Sequence, residues 1–167
     1  MNVAIADLSP PTSAPEAAAQ AFLTPSKTRR AGSLGFLGTS RRVDTPSGDV
    51  AIAEAGTGPA VLLVHGWDGQ AADLAAFAPP LLASGHRVIA IDLPAHGEWR
   101  GESTSIPAAA EALLALQRHA GDLHAVIGHS VGAAVLVEAM ARGLRAGRAV
   151  LLPAPARYAH YAKAFGT

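Results

Sequence analysis

The 167-residue sequence contains no cysteine. A disulfide framework, a thiolate zinc site and a catalytic thiol are therefore excluded. Charge of either sign is scarce: 13 basic and 13 acidic residues cancel, and only 16% of positions are charged. Such a chain has no electrostatic footprint for nucleic acid or an anionic membrane surface. No apolar run approaches the roughly 18 residues that suggest a membrane span. The first twenty-odd residues also lack the basic start and long apolar stretch of a secretory signal. These absences predict a soluble cytoplasmic protein with neither a nucleic-acid partner nor a membrane span. What the chain has in quantity is apolar: half of its residues are hydrophobic, enough for one domain with a core of its own.

Residues 1–40 differ from the rest. Ala, Pro, Ser and Gly dominate, and the segment reads as a poorly ordered, solvated leader holding at most a short helix over Ala14 to Leu23. Proline at position 25 would stop that helix. From residue 41 the pattern is regular. "RRVDTPSGDVAIAEAG" predicts two short strands joined at "TPSGD". "AVLLVHG" (60–66) is a continuous apolar run too short for a typical helix, which suits a strand buried on both faces. "HRVIAIDLP", "LHAVIGHS" and "RAVLLP" repeat that character.

Helical segments lie between the runs. One covers Ala71 to Ser84, broken or restarted at Pro79-Pro80 and ended by Gly85. Another runs from Ile106 to Ala120, capped by Ser105 and closed by Gly121. A third, Val131 to Arg142, is apolar nearly all round, as a buried helix is. Alternating apolar strands and helices predict an α/β fold: a mostly parallel sheet with helices on both faces. A nucleotide site in such a sheet needs a glycine loop between strand and helix. No G-x-G-x-x-G follows a strand, and no G-x-x-x-x-G-K-[ST] occurs.

The segment "GHSVG" (Gly128 to Gly132) stands where a strand meets an apolar helix. A sharp strand-to-helix turn would lift the Ser130 hydroxyl out of the sheet's end, at a strained backbone. Side chains at 128 and 132 would collide in that reversal, which glycine avoids. The new helix would aim free N–H groups at the place where negative charge develops.

Together with two further motifs, this segment resembles the first half of an α/β-hydrolase domain over residues 41–167. "LLVHGW" (62–67) resembles the family's oxyanion loop, and "DLPAHGEW" (92–99) its D-x-P-x-H-G-x-S segment, with Trp99 in place of the serine. The resemblance implies a serine hydrolase acting on a small ester, thioester or similar carbonyl compound, without a cofactor. Ser130 would be the nucleophile, the backbone N–H groups of Trp67 and Val131 the oxyanion hole, and Gly128 and Gly132 the glycines of the elbow. The Trp67 ring is equally suited to walling the acyl pocket. Serine at the elbow argues against the epoxide- and halide-cleaving branches.

His65 and His96 are expected to fix loops, His129 to line or support the pocket, and Asp92 to make a structural hydrogen bond. His86, His119 and His124 read as ordinary element-end residues. No histidine pair has metal-ligand spacing, so no metal is expected.

The catalytic acid and histidine of this family follow the serine in chain order. After Ser130 the sequence holds no aspartate, one glutamate (Glu138) and one histidine (His160). Glu138 lies eight residues along the same helix, roughly 12 Å away at 1.5 Å per residue. The expectation is thus an inactive fragment, truncated before the last strands. Its sheet would be completed by a missing C-terminal half or a partner chain. The alternative is a truncated homologue that binds a ligand or partner without turnover.

Overall fold

The computed structural model describes residues 13–26, 35–45, 48–97 and 101–153. The Pro46-Ser47 corner, Glu98, Trp99 and His160 lie outside the described residues.

Strands β1 (Thr39–Thr45) and β2 (Gly48–Ala55) pair antiparallel, from Thr45 opposite Gly48 to Thr39 opposite Glu54. The four apolar runs become β3 (Ala60–Val64), β4 (Arg87–Ile91), β5 (Leu123–His129) and β6 (Ala149–Leu152). They join the hairpin in one six-stranded sheet of order β1-β2-β4-β3-β5-β6. β2 runs antiparallel to β4, whereas β3–β4, β3–β5 and β5–β6 are parallel.

This order dictates where the helices go. From β3 the chain steps to β4 on one side, then returns across β3 to β5 and onward to β6. Crossovers between parallel strands are right-handed, so reversing the direction of travel moves the connecting helices to the opposite face. The 3-10 segment Ala71–Phe77 and helix α2 (Ala78–Ala83) connect β3 to β4. They pack on one face through Ala71, Leu74 and Ala78, against Val61, Leu63, Val88 and Ala90. Helices α3 (Ile106–Ala120) and α4 (Val131–Ala141) pack on the other, against Leu62, Val64, Ile89 and Ile91. Odd and even positions of β3 thus serve different cores, as the period of two requires.

Local signals account for the ends. Ser105 Oγ accepts from Ala108 N–H at 3.3 Å, and Gly121 closes α3 at φ +79°. The predicted 71–84 helix is two pieces because Pro79 and Pro80 lack the N–H a continuous helix needs. They fit in the first turn of a new one. Near the N-terminus, helix α1 (Ala14–Leu23) starts at Ser13, whose hydroxyl accepts from Glu16 N–H. The core reaches back before residue 40: Leu37 is buried, and Thr39 already pairs in β1.

One edge departs from this economy. β6 is apolar, yet Val150 and Leu151 are 45% and 44% exposed. An edge strand of that character is an aggregation template. The double variant Val150→Lys/Leu151→Lys should change the unfolding free energy by less than about 0.5 kcal/mol. Light scattering should show it staying monodisperse at higher concentration. A large stability loss would mean that this strand is part of the core.

Candidate active site

Register brings the motifs together. Val64 lies beside Ile91 of β4 and Gly128 of β5. The chain leaving each strand, at His65, Asp92 and His129-Ser130, therefore emerges on one carboxyl edge. Ligands bind at that edge of open α/β sheets, where the strand order reverses.

Among the described residues, three other than glycine have left-handed φ: Asp68 (+57°), Ala95 (+64°) and Ser130 (+52°). Each follows one of these strands. Such backbone costs of order 1–3 kcal/mol per residue and persists only where its surroundings enforce it. At Ser130 the enforcement is visible. A Cβ at position 132 would lie 2.2 Å from His65 O and 2.5 Å from Val64 O. One at position 128 would meet Ala133 Cα at 2.7 Å. Both positions require glycine because β5, α4 and the end of β3 meet backbone to backbone.

Ser130 is the N-cap of α4, a site where a serine hydroxyl ordinarily accepts from the first turn. Here φ +52° and ψ −122° turn it away, and it makes no capping hydrogen bond. Among the described residues its hydroxyl has no hydrogen-bond partner. Ser130 is half-buried and Val131 buried, while His129 is exposed. A Cβ at Gly66 would sit 3.1 Å from Ser130 Cβ and 3.3 Å from His129 Nδ1, so the loop carrying Trp67 passes directly beside the serine.

Behind the serine, the loops after β3 and β4 are locked by buried polar groups. Leu93 N–H donates to His65 Nε2 at 2.9 Å, which fixes the proton on Nδ1, and Nδ1–H donates to Gly66 O at 2.7 Å. Asp92 is fully buried and accepts from Ala71 N–H at 2.8 Å. Gly97 closes over its carboxylate, where a Cβ would come within 2.2 Å of the carboxyl carbon. The His96 ring stands edge-on to both His65 and Trp67, each with centroids 5.1 Å away. Its Nδ1 lies 2.8 Å from Pro94 O. Burial and the neighbouring His96 push His65 down to about 4, and burial lowers His96 as well. Both therefore remain neutral at pH 7; His65 cross-links the loops after β3 and β4, whereas His96 bonds within its own loop, to Pro94 O. The sequence marked these histidines as loop-fixing and Asp92 as a structural hydrogen-bonding residue, but not its partner Ala71, which lies 21 residues away.

The alpha/beta hydrolase family model matches residues 61–166, more than half of the chain. The chain belongs to that family. Solved structures similar to this hydrolase chain include an α/β-hydrolase fold protein from Nakamurella multipartita, with 32% identity and a TM-score of 0.61. That match covers 70% of this chain and 41% of the other. An esterase from Thermogutta terrifontis shares 28% identity, with a TM-score of 0.62 over 72% of this chain and 47% of its own. An epoxide hydrolase from an endophytic Streptomyces shares 30% identity, with a TM-score of 0.62 over 71% and 38%. The hydrolase chain thus spans less than half the length of these proteins. No curated protein matches it. Among its described residues, no helix is long and apolar enough to cross a membrane.

Two measurements probe this edge. Ser130→Gly relieves the left-handed backbone and is expected to raise the unfolding free energy by about 1 kcal/mol in denaturant titration. An unchanged or lower value would show that position 130 is unstrained. For His65, the unfolded chain binds a proton near pH 6.5 that the folded chain refuses until about pH 4. Its contribution is complete above pH 6.5 and falls away as pH drops towards 4, by about 3 kcal/mol in all. His65→Gln should flatten the acid limb of stability against pH. A limb of unchanged slope would assign the acid sensitivity to other groups.

Proposed function

We propose that Ser130 is the nucleophile of a serine hydrolase acting on a small ester, thioester or similar carbonyl substrate. The observation that carries this reading is a hydroxyl held in strained backbone at a helix N-terminus, committed to no hydrogen bond among the described residues. In the reaction, Ser130 Oγ attacks the carbonyl carbon while its proton passes to a histidine. The N–H groups of Val131 and Trp67 hold the oxyanion, the alcohol or thiol departs with that proton, and water releases the acyl group. Named neighbours include both esterases and epoxide hydrolases. The choice between them rests on Ser130, since an alcohol attacking a carbonyl is acyl-transfer chemistry.

The general base belongs to residues other than His65, whose two nitrogens are committed and whose proton affinity is depressed. Glu138 is bound by Arg142 Nε at 2.6 Å. We propose that the acid and histidine come from outside the described residues. Without that pair, the chain would show only the weak catalysis left when a triad member is missing.

Hydrolysis of p-nitrophenyl acetate by the purified chain should barely exceed the buffer rate. Robust turnover abolished by Ser130→Ala would place the base within these residues and overturn that part of the proposal. The reading frame beyond codon 167 supplies the second test. Continuation into an aspartate and then a histidine, each after a strand, supports the enzyme. A stop codon there favours a binding module without turnover.

A further inference from the structure

The segment that follows α1 reaches the loop after β3. Ser26 N–H donates to Asp68 Oδ1 at 2.6 Å, a contact 42 residues apart in sequence. Three residues earlier, Leu23 O accepts from the N–H of buried Thr104 at 2.8 Å, just ahead of α3. Between them Pro25 is buried, although the described positions of α1 itself are exposed up to Ala21. Four residues thus tie the loop after β3 to the entrance of α3.

Their grip falls on a strained point. Gly69 N–H donates to Gly66 O at 3.1 Å, closing a tight turn with Trp67 and Asp68 at its centre. Asp68 takes the third position at φ +57°, one that favours glycine or asparagine. The turn's base is held by His65, and its exit by Asp73 Oδ2, which accepts from Gln70 N–H at 3.0 Å. Ser26 holds the crest. Trp67 lies one residue before Asp68, so relaxing this turn re-aims the Trp67 peptide.

We infer that residues 23–26 are a positioning strap: through Asp68 they hold the Trp67 amide where an oxyanion would meet it. Asp68 is a positioning residue here, exposed and acting through its neighbour. This inference rests on the reading of Ser130 and Trp67 as nucleophile and oxyanion donor.

The test uses the full 167-residue chain and phenylboronic acid, whose tetrahedral adduct on a serine oxygen presents a negative oxygen. Amide resonances of Trp67 and Val131 report its binding, and hydrogen exchange reports the 66–69 turn. Asp68→Ala and Ser26→Pro remove the bond from opposite ends. Each should weaken boronate binding about three- to tenfold and speed exchange at 66–69, with the global unfolding midpoint little changed. Asp68→Asn keeps an acceptor oxygen and tolerates left-handed φ, so it should recover most of both. Unchanged exchange and affinity in Asp68→Ala, or equal losses in Asp68→Asn, would overturn the strap. Ser130→Ala should abolish the adduct. Equal binding by Ser130→Ala, or none by the native chain, would count against the nucleophile reading instead, and exchange at 66–69 would still decide the strap.

Discussion

The approach of two backbones without an intervening side chain organises the carboxyl edge. At Gly132 the first turn of α4 presses on the carbonyls of Val64 and His65, leaving no room for a Cβ. Because α4 starts there, its apolar residues Val131, Val135, Leu136 and Ala139 fall onto the core face shared with Leu62, Val64 and Val126. Burying each of the larger aliphatic side chains contributes about 1.5–3 kcal/mol. Together they exceed the strain of one residue in left-handed backbone at Ser130. The elbow is thus held shut by packing beneath it, and local preference works against it.

The same logic extends to the neighbouring loops. Asp68, Ala95 and Ser130 are strained at one edge, and Asp68 and Ser130 are restrained there by groups far away in sequence. His65 suits this task because one neutral ring offers an acceptor at Nε2 and a donor at Nδ1. It can therefore hold the Leu93 amide of one loop and the Gly66 carbonyl of another. An aliphatic residue of similar volume would take away the partner of the Leu93 amide in a dry interior, at a cost of about 1–3 kcal/mol, and leave the Gly66 carbonyl with the Gly69 N–H alone. A protonated histidine would lose the acceptor, and burial keeps the proton off.

Much of the fold is legible in the chain. Short apolar runs cut by Gly or Pro read as strands, and the central ones, β3 and β4, are covered on both faces. Three of the four appear within a residue or two of their expected bounds, and β4 ends at Ile91, three residues before Pro94. Ser105 and Gly121 frame α3, and Gly143 follows α4, because caps act through bonds only a few residues long. The strand-helix setting of Ser130 was equally plain, since two glycines around a serine between apolar segments admit few other geometries. The break at Pro79-Pro80 was visible, but the 3-10 winding ahead of it follows from docking on the sheet. The leader was less transparent: its composition suggests solvation, and nothing local marks Pro25 as buried or Ser26 as bound to Asp68.

The division follows the range of the forces. Sequence alone determined what depends on near neighbours: strand and helix alternation, caps, breaks, and the family to which three short motifs in order belong. Tertiary structure decided the direction of each crossover, the meeting of His65, Asp92 and Ser130 on one edge, the neutral state of a buried histidine, and the hold of residues 23–26 on the Trp67 turn. Those contacts span 21 to 42 residues or more. Their partners are selected by where the packed sheet leaves an unpaired amide or carbonyl, a quantity that does not exist until the sheet has formed.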